Sequence, residues 1–219
     1  MTAPFTIAEF LGVFVAYNAA IWPAQIAAYV LGAVAVAALW LKLPRLILAI
    51  LALMWLGTGI GYHYLFFASI NPAAPLFAGF FVLQAVLFAA CAVAPRKLSF
   101  CIGRDLRTGA GLASIFYAMI IYPALGFWAG HGFMAGPMFG VAPCPTTIFT
   151  IGMLLLARDR AVFWLSVVPI LWSIIGLAAA LQLGMFEDFA LPVAGLLLLL
   201  VLARARPPKK ELHSLGQFP

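Results

Sequence analysis

The chain reads as long apolar runs separated by short breaks in which charged residues, prolines and glycines collect. Runs bounded in this way fall at 21–41, 44–67, 72–93, 108–128, 145–157, 161–182 and 189–203. Most approach the length of about 20 residues that a helix needs to cross about 30 Å of hydrocarbon. None shows the two-residue alternation of a half-buried strand. The pattern predicts an all-α membrane protein of about seven transmembrane helices.

The breaks are not equivalent. Lys42 and Arg45 follow the first run, and Arg96, Lys97, Arg104 and Arg107 follow the third. Arg158 and Arg160 follow the fifth, and Arg204, Arg206, Lys209 and Lys210 follow the seventh. Those are all 12 Lys and Arg residues of the chain. Seven crossings put every one on a single face, which the positive-inside rule assigns to the cytoplasm, whereas one crossing more or fewer would divide them. The N-terminus is therefore expected outside and the C-terminus in the cytoplasm.

Composition agrees: with 66% hydrophobic and 8% charged residues, the chain lacks the polar surface of a water-soluble globule. The net charge of +6 then reads as a topology signal. The expected partner is the lipid bilayer, with a homo-oligomer compatible with it and no role for nucleic acid. Cys91, Cys101 and Cys144 are too scattered for a disulfide framework, and the topology puts only Cys144 outside. The start lacks the basic region and cleavage site of a removable signal peptide, so it is expected to be kept.

Two segments depart from the regular pattern. Ahead of the first run, Thr6 and Glu9 form a T-x-x-E capping box, with Phe5 and Phe10 as its hydrophobic staple. This predicts a short helix within residues 1–18, lying in the outer interface, with a longer, bent first helix as the alternative. The fifth run, at 13 residues, would rise only about 20 Å. Before it, Gly136 to Pro145 is apolar yet broken by glycine and proline. Irregular backbone at membrane depth must be shielded by protein, and interrupted segments of this kind point to binding sites in transporters.

Laying Trp55 on Trp172 also lays Gly59 on Gly176, and a shift one residue shorter lays Ala78-Gly79 on Ala194-Gly195. Trp22-Pro23-Ala-Gln25-Ile26 faces Cys144-Pro145-Thr-Thr147-Ile148 at another offset. A duplication would give two parallel three-helix units, 19–93 and 129–203, joined by a basic loop and linker helix at 94–128 and followed by a basic tail at 204–219. That plan looks like the 3+1+3 architecture of the SWEET sugar transporters, although no Pro-Gln loop motif accompanies it.

Polar groups at membrane depth need partners and often mark function. Trp55, Thr58, Gly59, Tyr62, His63 and Phe66 share one helical face that would look into the bundle. His63 reads either as an anchor in an interfacial aromatic belt or as a functional group in an outward-open polar cavity. Asn71 before Pro72 reads as a helix cap. Gln25 and Gln84 sit inside apolar runs, where each amide requires a partner, and interhelical hydrogen bonding would satisfy them. Cys144, Thr146 and Thr147 flank the interrupted segment, where capping explains the threonines equally well.

The candidate solute site is Gln25, Trp55, Thr58, His63, Gln84, Cys144 and Thr147. His63, His131 and Cys144 together offer ligands for a soft or borderline metal, though not as a local motif. No lysine lies within a predicted helix, and no nucleotide loop, H-E-x-x-H motif or paired intramembrane carboxylates are evident, so enzyme chemistry has little support and no cofactor is identified.

The segments FTIAEFLGVFVAYNAAIWPAQ, YHYLFFASINPAAPLF and APCPTTIFTIGMLLL resemble a bacterial membrane family of unknown function whose members are sometimes labelled permeases. The resemblance implies a multi-pass protein of the bacterial inner membrane and brings no binding residues. The expectation that follows is a transporter or channel for a small solute or ion. The alternatives are a metal- or cofactor-binding membrane protein and a structural subunit of a membrane complex.

Overall fold

A computed structural model describes residues 4–94 and 98–204. Arg96, Lys97, Arg206, Lys209 and Lys210 therefore lie outside the described residues. Among the described residues six helical runs are long and apolar enough to cross a membrane: Ile7–Trp40, Pro44–Ser69, Ala74–Val93, Leu106–Trp128, Ala161–Leu183 and Phe186–Arg204. Between the fourth and fifth lies the shorter apolar helix Pro143–Leu156. The chain is thus a helical protein built for a membrane.

The first helix, α1 (Ile7–Trp40), corrects one expectation. The capping box forms as predicted, with Glu9 N donating to Thr6 Oγ1 at 3.3 Å and Thr6 N to Glu9 Oε2 at 2.7 Å. The helix it starts then continues through Pro23 into the first apolar run, so no separate interfacial helix exists. Apolar residues on both sides of Pro23 give the helix no reason to stop, and the break proline makes in the backbone ladder is confined to its own turn. At 34 residues α1 rises about 51 Å, more than the bilayer's apolar depth.

The second span begins as α2 (Pro44–Gly57), with proline in its first turn, then widens into a π-helical segment over Thr58–Phe66 and closes with a 3-10 turn at Phe67–Ser69. After α3 (Ala74–Val93) and the two-residue strand β1 (Ser99–Phe100), the fourth span runs through α4 (Leu106–Phe116), a second π segment at Tyr117–Ile121 and α5 (Tyr122–Trp128). The turn α6 (Gly132–Ala135) leads to α7 (Pro143–Leu156), which ends in β2 (Ala157–Arg158). β2 pairs antiparallel with β1, the one departure from an all-α chain among the described residues. α8 (Ala161–Leu183), a 3-10 turn at Phe186–Phe189 and α9 (Ala190–Arg204) complete it.

The core is organised around α7. Every residue of this helix is buried except Cys144, which is half-buried. A helix apolar on all sides is one enclosed by others, and here the enclosure comes chiefly from α4, α8 and α9. The crossing with α4 is close because Gly111 and Gly152 face one another, and a Cβ on either would meet the other's carbonyl within 2.9 Å.

The segment before α7 is irregular, as its glycines and prolines predict, and is held in place by α1. Tyr17 donates to Val141 O at 2.9 Å, and Asn18 Nδ2 to Met134 O and Gly136 O, each at 2.9 Å. Gln25 supports Asn18 by donating to its side-chain oxygen at 2.8 Å. Gly140 has φ +76 and lies so close to Ala28 that a Cβ would come within 2.7 Å of it; both facts require glycine.

A polar cleft at the head of a buried helix

α7 begins with Pro143 and Pro145, which lack two of the N–H groups that a helix start normally leaves without partners. Its threonines do not cap it. Thr146, Thr147 and Thr150 donate to the carbonyls of Ala142, Pro143 and Thr146 at 2.6, 2.8 and 2.8 Å. The start of α7 is instead met by the turn between α8 and α9. Gly184, with φ +68, ends α8 in a left-handed cap, and the chain turns inward. Glu187 and Asp188 are buried there at 0% and 4% exposure, while Phe186 points out.

The sequence reading missed these two carboxylates. Tyr122 donates to Asp188 Oδ1 at 2.5 Å, and Cys144 lies against the same carboxylate. Glu187 Oε1 is 3.1 Å from His131 Nδ1, and Tyr117 donates to the Glu187 backbone carbonyl at 2.8 Å. Tyr117 opens the second π segment and Tyr122 follows it directly, and such helical irregularities are often found at functional sites. A pair of acids between two phenylalanines, away from any Lys or Arg in sequence, was the available signal.

Beside this group is a cleft of about 210 Å³. Its polar lining includes His63, Asn71, Cys144, Trp172, Gln182 and Asp188, and its walls are largely aromatic. His63 is fully buried, and neither ring nitrogen has a hydrogen-bond partner. Its ring lies 4.7 Å from Phe81 and 5.0 Å from Trp172 between centroids. The interfacial-anchor reading therefore fails, because an anchor would reach water. Glu187 Oε2 is also buried without a partner, and the Trp172 indole N–H meets only the Cys144 sulfur. Buried polar groups are usually paired, and each exception needs an explanation.

Of the predicted solute-site residues, His63 and Cys144 line this cleft. The others serve the frame. Gln25 holds Asn18; Trp55 Nε1 donates to Thr150 Oγ1 at 2.8 Å; Thr58 Oγ1 donates to Met54 O at 2.9 Å. Gln84 Nε2 reaches across to Leu165 O at 3.0 Å, and Thr147 bonds its own helix. The predicted face from Trp55 to Phe66 is buried or half-buried throughout, so the face was read correctly and its polar members serve different tasks.

The three proposed metal ligands do not come together. His63 and Cys144 line the cleft, whereas His131 is engaged by Glu187. Among the described residues no group of three or more His, Cys, Asp or Glu side chains is arranged to hold a metal ion.

The family model described as a family of unknown function (DUF6064) matches residues 7–213. No curated protein and no solved structure matches the chain.

Proposed function

We propose a function for this chain, which belongs to the DUF6064 family of unknown function, from the chemistry of its cleft: it carries a small solute across a bacterial inner membrane. One observation carries the reading. His63 is buried with neither ring nitrogen partnered, in the lining of the same cleft as the Asp188 carboxylate, and that cleft is large enough for a ligand. Leaving buried polar groups unpaired costs about 1–3 kcal/mol each, a cost that a bound solute would offset. The interrupted segment before α7 supports the same reading, since irregular backbone at membrane depth is found where protein or a cavity covers it.

Seven crossings, with α7 as the short one, and an outer N-terminus are part of this proposal. Clustered basic residues support it: β1 pairs with β2, and Arg158 lies 3.6 Å from Asp105, which gathers the 98–107 and 157–160 segments at one end. A 3+1+3 duplication is also part of it. Gly59 lies against Phe81 of α3 and Gly176 against Leu191 of α9, so the matched glycines serve matched helix pairs.

The test is a solute screen in proteoliposomes, comparing wild type with His63→Gln and Asp188→Asn. The reading predicts uptake of at least one small solute that falls at least about tenfold in either variant while the protein remains folded. Uptake unchanged in both variants, or no uptake across the screen, would overturn it.

A further inference from the structure

The cleft also carries information on the sign of its ligand. Among the described residues the close contacts between a basic and an acidic side chain are His131 with Glu187 and Arg158 with Asp105. Asp188, 4% exposed, has no cationic partner; its neighbours are the Tyr122 hydroxyl and the Cys144 sulfur, with Glu187 adding negative charge nearby. Among the described residues no Lys or Arg lines the cleft. A buried carboxylate with only neutral donors keeps its charge only beside a cation, and no described residue supplies one.

The walls favour the same sign. Phe67, Phe77 and Trp172 surround His63, and Tyr62 lies beside them. Aromatic faces attract cations, most strongly where water is excluded. A neutral imidazole offers one nitrogen as acceptor, and the unpartnered His63 lines the same cleft as Asp188. Size limits the ligand as well. A cavity of 150 Å³ holds benzene, so about 210 Å³ suits roughly ten non-hydrogen atoms or fewer.

We propose that the cleft binds a small organic ammonium ion, its charge held by Asp188 and His63 and its apolar body by the aromatic walls. This rests on the reading of the cleft as a solute site. It adds a charge and a size to that reading, and it stands apart from whether the ligand is moved across the membrane.

The test is isothermal titration of the protein in lipid nanodiscs with three probes of similar shape: 2-phenylethylammonium, 2-phenylethanol and phenylacetate, with empty nanodiscs subtracted. The ammonium should bind about tenfold or more tightly than the alcohol, as expected for a hydrogen bond to a charged partner, and the carboxylate should bind weakest. Asp188→Asn should remove the preference for ammonium while leaving the alcohol's affinity within about threefold. The wild-type comparison stands even if that variant fails to fold. Equal binding of ammonium and alcohol, tightest binding of phenylacetate, or no binding by any probe would overturn the proposal. If the ammonium binds and is not taken up by proteoliposomes, the transport reading fails and the ligand class stands.

Discussion

At its Leu156 end α7 presents the carbonyls of residues 154–157, and each has a donor. Ala157 N takes Leu154 O, Arg107 Nε takes Leu155 O at 2.6 Å, Cys101 N takes Leu156 O at 2.9 Å, and an Arg107 terminal nitrogen takes Ala157 O at 2.6 Å. At its Pro143 end the same helix meets two buried carboxylates and a cleft lined by an imidazole with two unpaired nitrogens. Both ends carry the charge that the helix dipole favours, cationic at the C-terminus and anionic at the N-terminus. Only one is complete. The comparison separates polar groups that hold the fold from those available to a ligand, which burial alone does not do.

The comparison breaks most readily at the completed end. Arg107→Ala removes two 2.6 Å bonds at once, leaving Leu155 O and Ala157 O only the longer ones from Arg158, and should lower stability by about 2–3 kcal/mol, read as a drop in the thermal unfolding midpoint in detergent. Arg107→Lys should recover less than half of that, because an ammonium cannot reproduce the planar fork that reaches Leu155 and Ala157 together. A smaller effect belongs to the middle of the helix. Trp55→Phe loses the bond to Thr150 and some ring volume, for a cost of about 2 kcal/mol, with solute binding at the cleft unchanged.

Least affected should be the exposed Asp105→Ala, at the start of α4. Hydrogen bonds from the Thr108 side chain and backbone hold the Asp105 carboxyl below its ordinary value of 3.8. A depressed value in the folded state means that the contribution is present above the unfolded value and lost as pH falls through the folded one. The variant's small deficit in unfolding midpoint near neutrality should therefore shrink as the pH is lowered below about 4. A deficit that grows on acidification would contradict this assignment.

Much of the frame was legible because it rests on strong local signals. Pro44 opens α2, Ala161 opens α8 after Arg158 and Arg160, and Thr6 with Glu9 starts α1. The shortness of the helix before Arg158 pointed to an unusual segment there, and that segment is irregular and buried. The site was half legible. His63 stands out by sharing a helical face with Trp55 and Thr58, and Cys144 by its place at the interrupted segment, and both line the cleft. Glu187 and Asp188 were passed over because hydropathy alone assigns two adjacent acids to a solvated loop. Their burial depends on His131, Tyr117 and Tyr122, which are 56 to 70 residues away in sequence. The π segments were equally hidden, since a 3.6-residue period does not reveal where a helix takes in an extra residue. The continuity of α1 through Pro23 was decided by apolar sequence on both sides of the proline rather than by the proline itself.

The most direct measurement is the thermal unfolding of His63→Phe against wild type in the same detergent. If His63 is held unpaired for a ligand, phenylalanine removes two orphaned nitrogens from an aromatic setting that has an adjoining cleft to take the larger ring. The account predicts a variant more stable by about 1–2 kcal/mol that no longer binds solute. A variant destabilised as severely as Arg107→Ala would contradict it, because His63 would then be part of what holds the fold together.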